Sequence, residues 1–332
     1  TAYTSNFGLL ELRELIAAQL ERLYGVRYDP HNEIIITTGV SEALNLATQS
    51  LLDEGDEVIS TDPSYVAYMP NVVFAGGKWV TVPTHASNGF QLEPGPLEER
   101  ITPATKAVLL GYPSNPTGAV MERRSLEAIV DVVKRHDLFV ISDEIYDRLV
   151  YGVEHVSVPS LPGMKERTVL LGGFSKAYAM TGWRLGYVCA PPVITDAMMR
   201  VHQYVMMSAP TAAQHAAVEA LRSGEEDVQG MLGEYARRRQ LVIRACRDMG
   251  LDLHEPNGAF YAFPSIRSTG LDDEEFAGRL LLEEKVAVVP GQAFGQGGAG
   301  HIRICYAQKY DMLEEALHRM ARFVHHYRTS AK

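Results

Sequence analysis

Cysteine is scarce in this sequence. Cys189, Cys246 and Cys305 are its only three among 332 residues, far apart and odd in number. They show neither metal-ligand nor redox spacing, so reduced, buried thiols in a cytoplasmic protein are expected. Long apolar runs are also missing. No stretch is long enough to span a bilayer as a helix, and no signal peptide is visible. Positive charge is in deficit, with 31 Lys and Arg against 41 Asp and Glu for a net charge of −10. That balance cannot assemble a basic face for nucleic acid. Internal repeats and low-complexity segments are absent. The chain also lacks an initial methionine: it starts at Thr1 and enters an element almost at once, which is read as processing or as a missing beginning.

What is present describes a folded protein. The sequence is 46% hydrophobic and 22% charged, an ordinary globular balance, and its length suits a large domain plus a smaller one. Leu9, Leu12, Leu15, Ile16, Leu20 and Leu23 keep helical spacing, with Arg13 and Glu14 expected on the other side. Apolar strands are expected at Glu33–Thr37, Val58–Ser60, Trp79–Val82, Ala107–Leu110, Phe139–Ser142 and Thr168–Leu171, with another opened by Arg184. Between them lie helices from Ser41, as the cap, to Leu52 and from Ser125 to Arg135, and a loop at Asp62–Tyr65. Such alternation indicates an α/β fold, a mostly parallel sheet flanked by helices. From about Pro210 the style changes. A long helix at Glu226–Met249 carries Arg237, Arg238 and Arg239 as a solvated face. Short strands at Phe260–Phe263, Val286–Val289 and Ile302–Cys305 and a last helix at Asp311–His326 follow. This is expected to be a smaller α+β domain, with residues 1–224 forming the large domain and 225–332 the small one. The run Gly295–Gly300 precedes a strand rather than a helix and is read as a hinge-like surface loop.

Ligands bind beyond the carboxyl ends of the strands in such sheets, and Gly39, Asn115, Asp143 and Lys176 all fall there. Lys176 lies in a small-residue turn after an apolar strand, with Arg184 on the same loop. An amine held there forms a Schiff base, and a guanidinium holds phosphate. The strand–turn–helix junction at Gly39 leaves the amides of Val40 and Ser41 for a phosphate, or for an ordinary capped helix. Asp143 ends an apolar strand, where an unpaired carboxylate is costly; a protonated ring nitrogen would serve as partner, and Tyr146 reaches the same ligand. Asn115 fits a structural turn as well as a site, and Tyr65 fits either a loop aromatic or a stacking platform. Together these are the parts that run pyridoxal 5′-phosphate.

At Asn115-Pro116-Thr117-Gly118, Asp143-Glu144-Ile145-Tyr146, Ser175-Lys176 with Arg184 eight positions on, and Gly300-His301-Ile302-Arg303, the sequence resembles the class I/II aminotransferases. These are the aspartate-aminotransferase-like, fold type I enzymes, and the resemblance covers essentially the whole chain. It implies transfer of an amino group between an L-amino acid and a 2-oxo acid, 2-oxoglutarate in the first place. In that reading Lys176 carries the cofactor and shuttles a proton, and Asp143 pairs with the pyridinium. Tyr146 and Asn115 hold the ring hydroxyl, Tyr65 stacks on the ring, and Val40, Ser41, Ser175 and Arg184 contact the phosphate. Arg303, assisted by Asn115, grips the substrate α-carboxylate. Tyr3 matches a tyrosine that relatives extend to the neighbouring subunit's phosphate, implying a homodimer with shared active sites. Two departures stand out. Gly173 occupies a position where many relatives have a phosphate-binding serine, and the relatives' arm before the Tyr3 segment is absent from this sequence. A carbon–sulfur β-lyase on the same scaffold is the alternative reading; the cofactor-binding domain of a transcription regulator is a distant third. No metal site is expected. His301, Trp79 and Trp183 are read as packing residues.

Overall fold

The computed structural model describes residues 2–330, with side chains through residue 328. In chain order the elements are α1 (Leu10–Tyr24), β1 (Ile34–Thr37), α2 (Val40–Leu51), β2 (Glu57–Asp62), α3 (Tyr68–Phe74), β3 (Lys78–Pro83), α4 (Pro94–Glu98), β4 (Thr105–Gly111), α5 (Arg123–Arg135) and β5 (Phe139–Asp143). There follow β6 (Thr168–Gly173), β7 (Gly186–Cys189), α6 (Pro192–Val205), α7 (Thr211–Ser223), α8 (Glu225–Met249), β8 (Tyr261–Ala262), α9 (Asp273–Glu284), β9 (Val289–Pro290), β10 (Ile302–Cys305) and α10 (Tyr310–Ser330).

Seven strands form one sheet in the order β1-β7-β6-β5-β4-β2-β3. All neighbours pair in parallel except β7, which runs against both β1 and β6. Helices cover both faces, which is why the central strands read as unbroken apolar runs. Side chains alternate across the sheet: Val108, Leu110 and Val140 pack on one side with Leu126, Ile129 and Val133 of α5. Leu109 and Ile141 pack on the other with Leu44 and Leu46 of α2 and Met198 of α6. Each such burial contributes about 1.5–3 kcal/mol. A second, antiparallel sheet, β8-β10-β9, packs Ile302 and Ile304 against Val242 of α8, Phe276 of α9 and Leu317 of α10.

Several local expectations are corrected. Gly39, with φ 78°, caps α2, and Ser41 lies inside its first turn without capping it. The loop after β2 runs into a helix, α3, that period alone did not expose. Arg184 adopts a left-handed conformation before the strand, which opens at Gly186. Arg13 is buried, donating to the Pro30 carbonyl with its guanidinium 5.6 Å from the centre of the Phe7 ring. Arg239 is buried as well and donates to the Pro256 carbonyl and, at 2.9 Å, to Asn257 Oδ1. Long side chains with apolar stems and many donors can occupy the inner face of a helix when carbonyls wait there. The glycine run is no free hinge. Gly297 N donates to Asp62 Oδ1 at 2.9 Å, and a Cβ on Gly295 would stand 2.1 Å from that oxygen. Cys305 and Trp183 are exposed, whereas Cys189 and Cys246 are buried. The expected packing of His301 is found: it stacks on Phe263 at 5.1 Å.

Candidate active site

The carboxyl ends of the parallel strands and the loops beyond them enclose a cavity of about 370 Å³. Of the predicted site residues, Val40, Ser41, Tyr65, Asn115, Asp143, Tyr146, Ser175, Lys176, Arg184 and Arg303 all line it. Tyr3 does not; its side chain is 82% exposed.

One end of the cavity is built to receive an anion. The first amides of α2 have no carbonyl a turn earlier to bond, and they carry the positive end of the helix dipole. Arg184 lies directly over this turn. A Cβ on Gly39 would be 2.7 Å from Arg184 Nη2, so the guanidinium in this place and the φ of 78° both favour glycine. Its Nη1 donates to the Thr181 carbonyl at 3.1 Å, and Thr181 itself lines the cavity. The glycine departure falls where space is tight. A side chain on Gly173 would start 3.1 Å from Gly186 Cα, because β6 and β7 pair closely at this point.

Deeper in the cavity is Asp143, the last residue of β5, buried at 6% exposure. Tyr68 donates its hydroxyl to Oδ2 at 2.9 Å, and Ile145 N donates to Oδ1 at 3.2 Å. Burial pushes the carboxyl up to about 6, although both donors oppose the rise. No cation reaches it at ion-pair distance among the described residues, so this carboxylate has capacity for one more donor, a charged one. Lys176 follows β6, with Nζ 5.7 Å from the ring centres of both Tyr146 and Phe260. Burial holds its amine below the ordinary lysine value. Cys305 and Asp143 oppose that shift, while Arg184 and Arg303 reinforce it.

At the cavity's other end, β10 supplies Arg303. Its guanidinium lies between aromatic rings, 4.5 Å from the centre of Tyr261 and 4.9 Å from that of Phe294. Nη1 donates to Asn115 Oδ1 at 2.8 Å, which leaves the Asn115 amide nitrogen to donate elsewhere. Arg303 Nε is buried without a partner among the described residues. A buried orphan donor beside a paired one is the shape a carboxylate fills. Tyr146 and Tyr261 join their hydroxyls at 3.0 Å across the cavity floor. Tyr68, Tyr261 and Thr181 are among the lining residues that sequence reasoning missed. Tyr68 stands three residues after Tyr65 and opens α3, a helix whose existence was the missing information.

The donor set fits pyridoxal 5′-phosphate. It pairs an anion cradle at Gly39 and Arg184 with a carboxylate open to a ring cation and an amine between them, and Tyr65 offers an aromatic face. Comparison with known proteins agrees. The sequence model of the family "Aminotransferase class I and II" matches residues 1–320. The Bacillus subtilis (strain 168) protein YugH is 50% identical over 325 residues, 98% of this chain and 84% of that one. The aspartate aminotransferase of Pyrococcus abyssi is 46% identical, over 96% of this chain and 83% of that one. The crystal structure of an aromatic aminotransferase from Pyrococcus horikoshii OT3 superposes with a TM-score of 0.96 at 45% identity, covering 98% of this chain and 88% of that one. The chain therefore belongs to the class I and II aminotransferases, a family of pyridoxal-phosphate-dependent enzymes.

Proposed function

We propose that this chain moves an amino group between an L-amino acid and a 2-oxo acid, with 2-oxoglutarate as acceptor and pyridoxal 5′-phosphate held as a Schiff base on Lys176. The observation that carries the reading is one cavity lined by the Lys176 amine, the buried Asp143 carboxylate and the Arg303–Asn115 pair. When bound, the cofactor supplies an electron sink that stabilises negative charge at the substrate α-carbon.

The residues do the rest. Lys176 Nζ, which burial makes easier to hold neutral, would take the proton lost from the substrate α-carbon and hold it for return. Asp143 holds the ring nitrogen protonated. The Tyr146 hydroxyl and the Asn115 amide hold the ring oxygen; Tyr65 presents its face to the ring. Val40, Ser41, Ser175 and Arg184 bind the phosphate. Arg303 orients the substrate by its carboxylate, satisfying the orphan Nε. Tyr3 reaches the phosphate of a second copy, and the exposed Phe74 and Tyr204, 75% and 86% accessible, are consistent with a covered homodimer surface. Residues 1–224 and 225–332 act as the large and small units. A cytoplasmic location goes with this reading; no helix among the described residues is long and apolar enough to cross a membrane.

The test is a panel of aspartate, aromatic and alanine donors, with and without 2-oxoglutarate. Amino transfer that needs the acceptor supports the reading. Pyruvate and ammonia released from a cysteine-type substrate without an acceptor would replace it with a β-lyase.

A further inference from the structure

Tyr68 is a buried tyrosine whose hydroxyl has one partner among the described residues, the Asp143 carboxylate, at 2.9 Å. The approach is prepared by the neighbouring strand. Gly111 pairs with Asp143 in register across β4 and β5. A Cβ on Gly111 would stand 2.2 Å from the Tyr68 oxygen and 2.9 Å from its ring. Backbone without a side chain is thus the floor on which the Tyr68 ring lies, and α3 delivers the hydroxyl over it. Tyr65, one turn earlier, meets the Tyr68 ring edge-on at 5.5 Å, so the same helix start places the aromatic face and the hydroxyl together.

From this geometry we infer that Tyr68, seated on Gly111, is a positioning residue that keeps Asp143 in its acceptor-only, ionised form and aims its free lone pairs at the cofactor's ring nitrogen. A tyrosine hydroxyl buried here keeps its proton, since burial and the Asp143 charge push it well above the ordinary tyrosine value. It therefore donates, and a donor stabilises the carboxylate against the acid. Besides Tyr68, the ionisable groups around Asp143 are Lys176 on the loop after β6, Tyr146 on its own loop, and Glu144, whose side chain turns to the other side of the strand. Lys176 leaves that list when its amine is engaged, which makes Tyr68 the constant partner. The inference rests on the proposed cofactor; the Tyr68–Asp143 contact does not.

The experiment uses the full chain. Asp143 is followed by carboxyl ¹³C NMR in the apo-protein, assigned against Asp143→Asn, and pyridoxal 5′-phosphate binding is titrated from pH 5.5 to 9, endpoints chosen to bracket roughly the region of interest. Tyr68→Phe keeps the ring and removes the donor; Gly111→Ala displaces the ring and leaves both groups in the chain. Each is expected to raise the Asp143 midpoint by about one pH unit. That displacement weakens cofactor binding about fivefold near pH 6, the loss fading towards pH 9. An unmoved midpoint in Tyr68→Phe, or an affinity loss equal at every pH, overturns the inference. Wild-type protein that binds no pyridoxal 5′-phosphate at all would instead overturn the cofactor reading, with the NMR midpoint alone then judging the Tyr68 contact.

Discussion

Asp143 and Glu144 are adjacent acids at the end of one strand, both buried, at 6% and 3% exposure. Their surroundings are opposite. Glu144 is saturated: Ser142 Oγ and Val158 N donate to Oε1 at 2.8 and 2.9 Å, and His155 Nε2 lies 2.7 Å from Oε2. Asp143 has two neutral donors and an open cavity. The alternation of a strand sends one carboxylate into a finished network behind the sheet and the other towards the ligand edge. Burying a charge is tolerated only where partners compensate it. The unsaturated acid is the one whose partner comes from outside.

That contrast can be broken at either end. The largest effect is expected from Lys176→Ala, which removes the amine from the Asp143 side: transamination should fall roughly 10⁴-fold, and retained turnover would refute the assignment. Asp143→Asn should lower turnover roughly 10²- to 10³-fold by removing one member of a buried charge pair, yet stabilise the apo-protein at neutral pH. The sign follows from a folded-state carboxyl near 6, above its unfolded value. The native state holds the extra proton between about pH 4 and 6, so wild-type stability declines as pH rises through that window, and the variant escapes the decline. Thermal melts of both proteins at pH 4 and pH 8 decide it.

Glu144→Gln should do the reverse, destabilising the fold by about 3 kcal/mol with little change in the turnover of the protein that remains folded. Burial lowers His155, but the charge and hydrogen bond of Glu144, aided by Asp147, outweigh it and hold the imidazole above its ordinary value. A raised histidine stabilises below its unfolded value, and the contribution is lost as pH rises through the folded one. Denaturant melts should show that alkaline loss in wild type and not in Glu144→Gln. The smallest effect is expected from Arg303→Lys. Losing the planar fork should raise KM about tenfold for every carboxylate substrate, and an unchanged KM across the panel would remove Arg303 from that role.

Much of the site was legible because its parts sit at strand ends, where an apolar run stops and one polar residue follows. Asp143 after Phe139–Ser142, and Lys176 after Thr168–Leu171, announce themselves in that way. Tyr68 does not: α3 spans only seven residues, too few for a helical period to emerge, so the sequence gives no sign of the turn that places Tyr68 over Gly111. Arg13 and Arg239 read as solvent-facing because charge ordinarily marks the outer face of a helix. Their acceptors are the carbonyls of Pro30 and Pro256, which no pattern within the helix announces.

What the sequence determined by itself was the alternation of strands and helices, the edge at which polar residues gather, and the identity of the amine, the acids and the arginines there. These depend on local spacing and on the cost of burying polar groups. Only the tertiary structure decided which of two neighbouring acids is completed from within and which is left for a ligand, and which tyrosine steadies the open one. Such pairings join residues as far apart as Tyr68 and Asp143, or Asn115 and Arg303, and a hydrogen bond is set by distance and angle in space, which chain order does not encode.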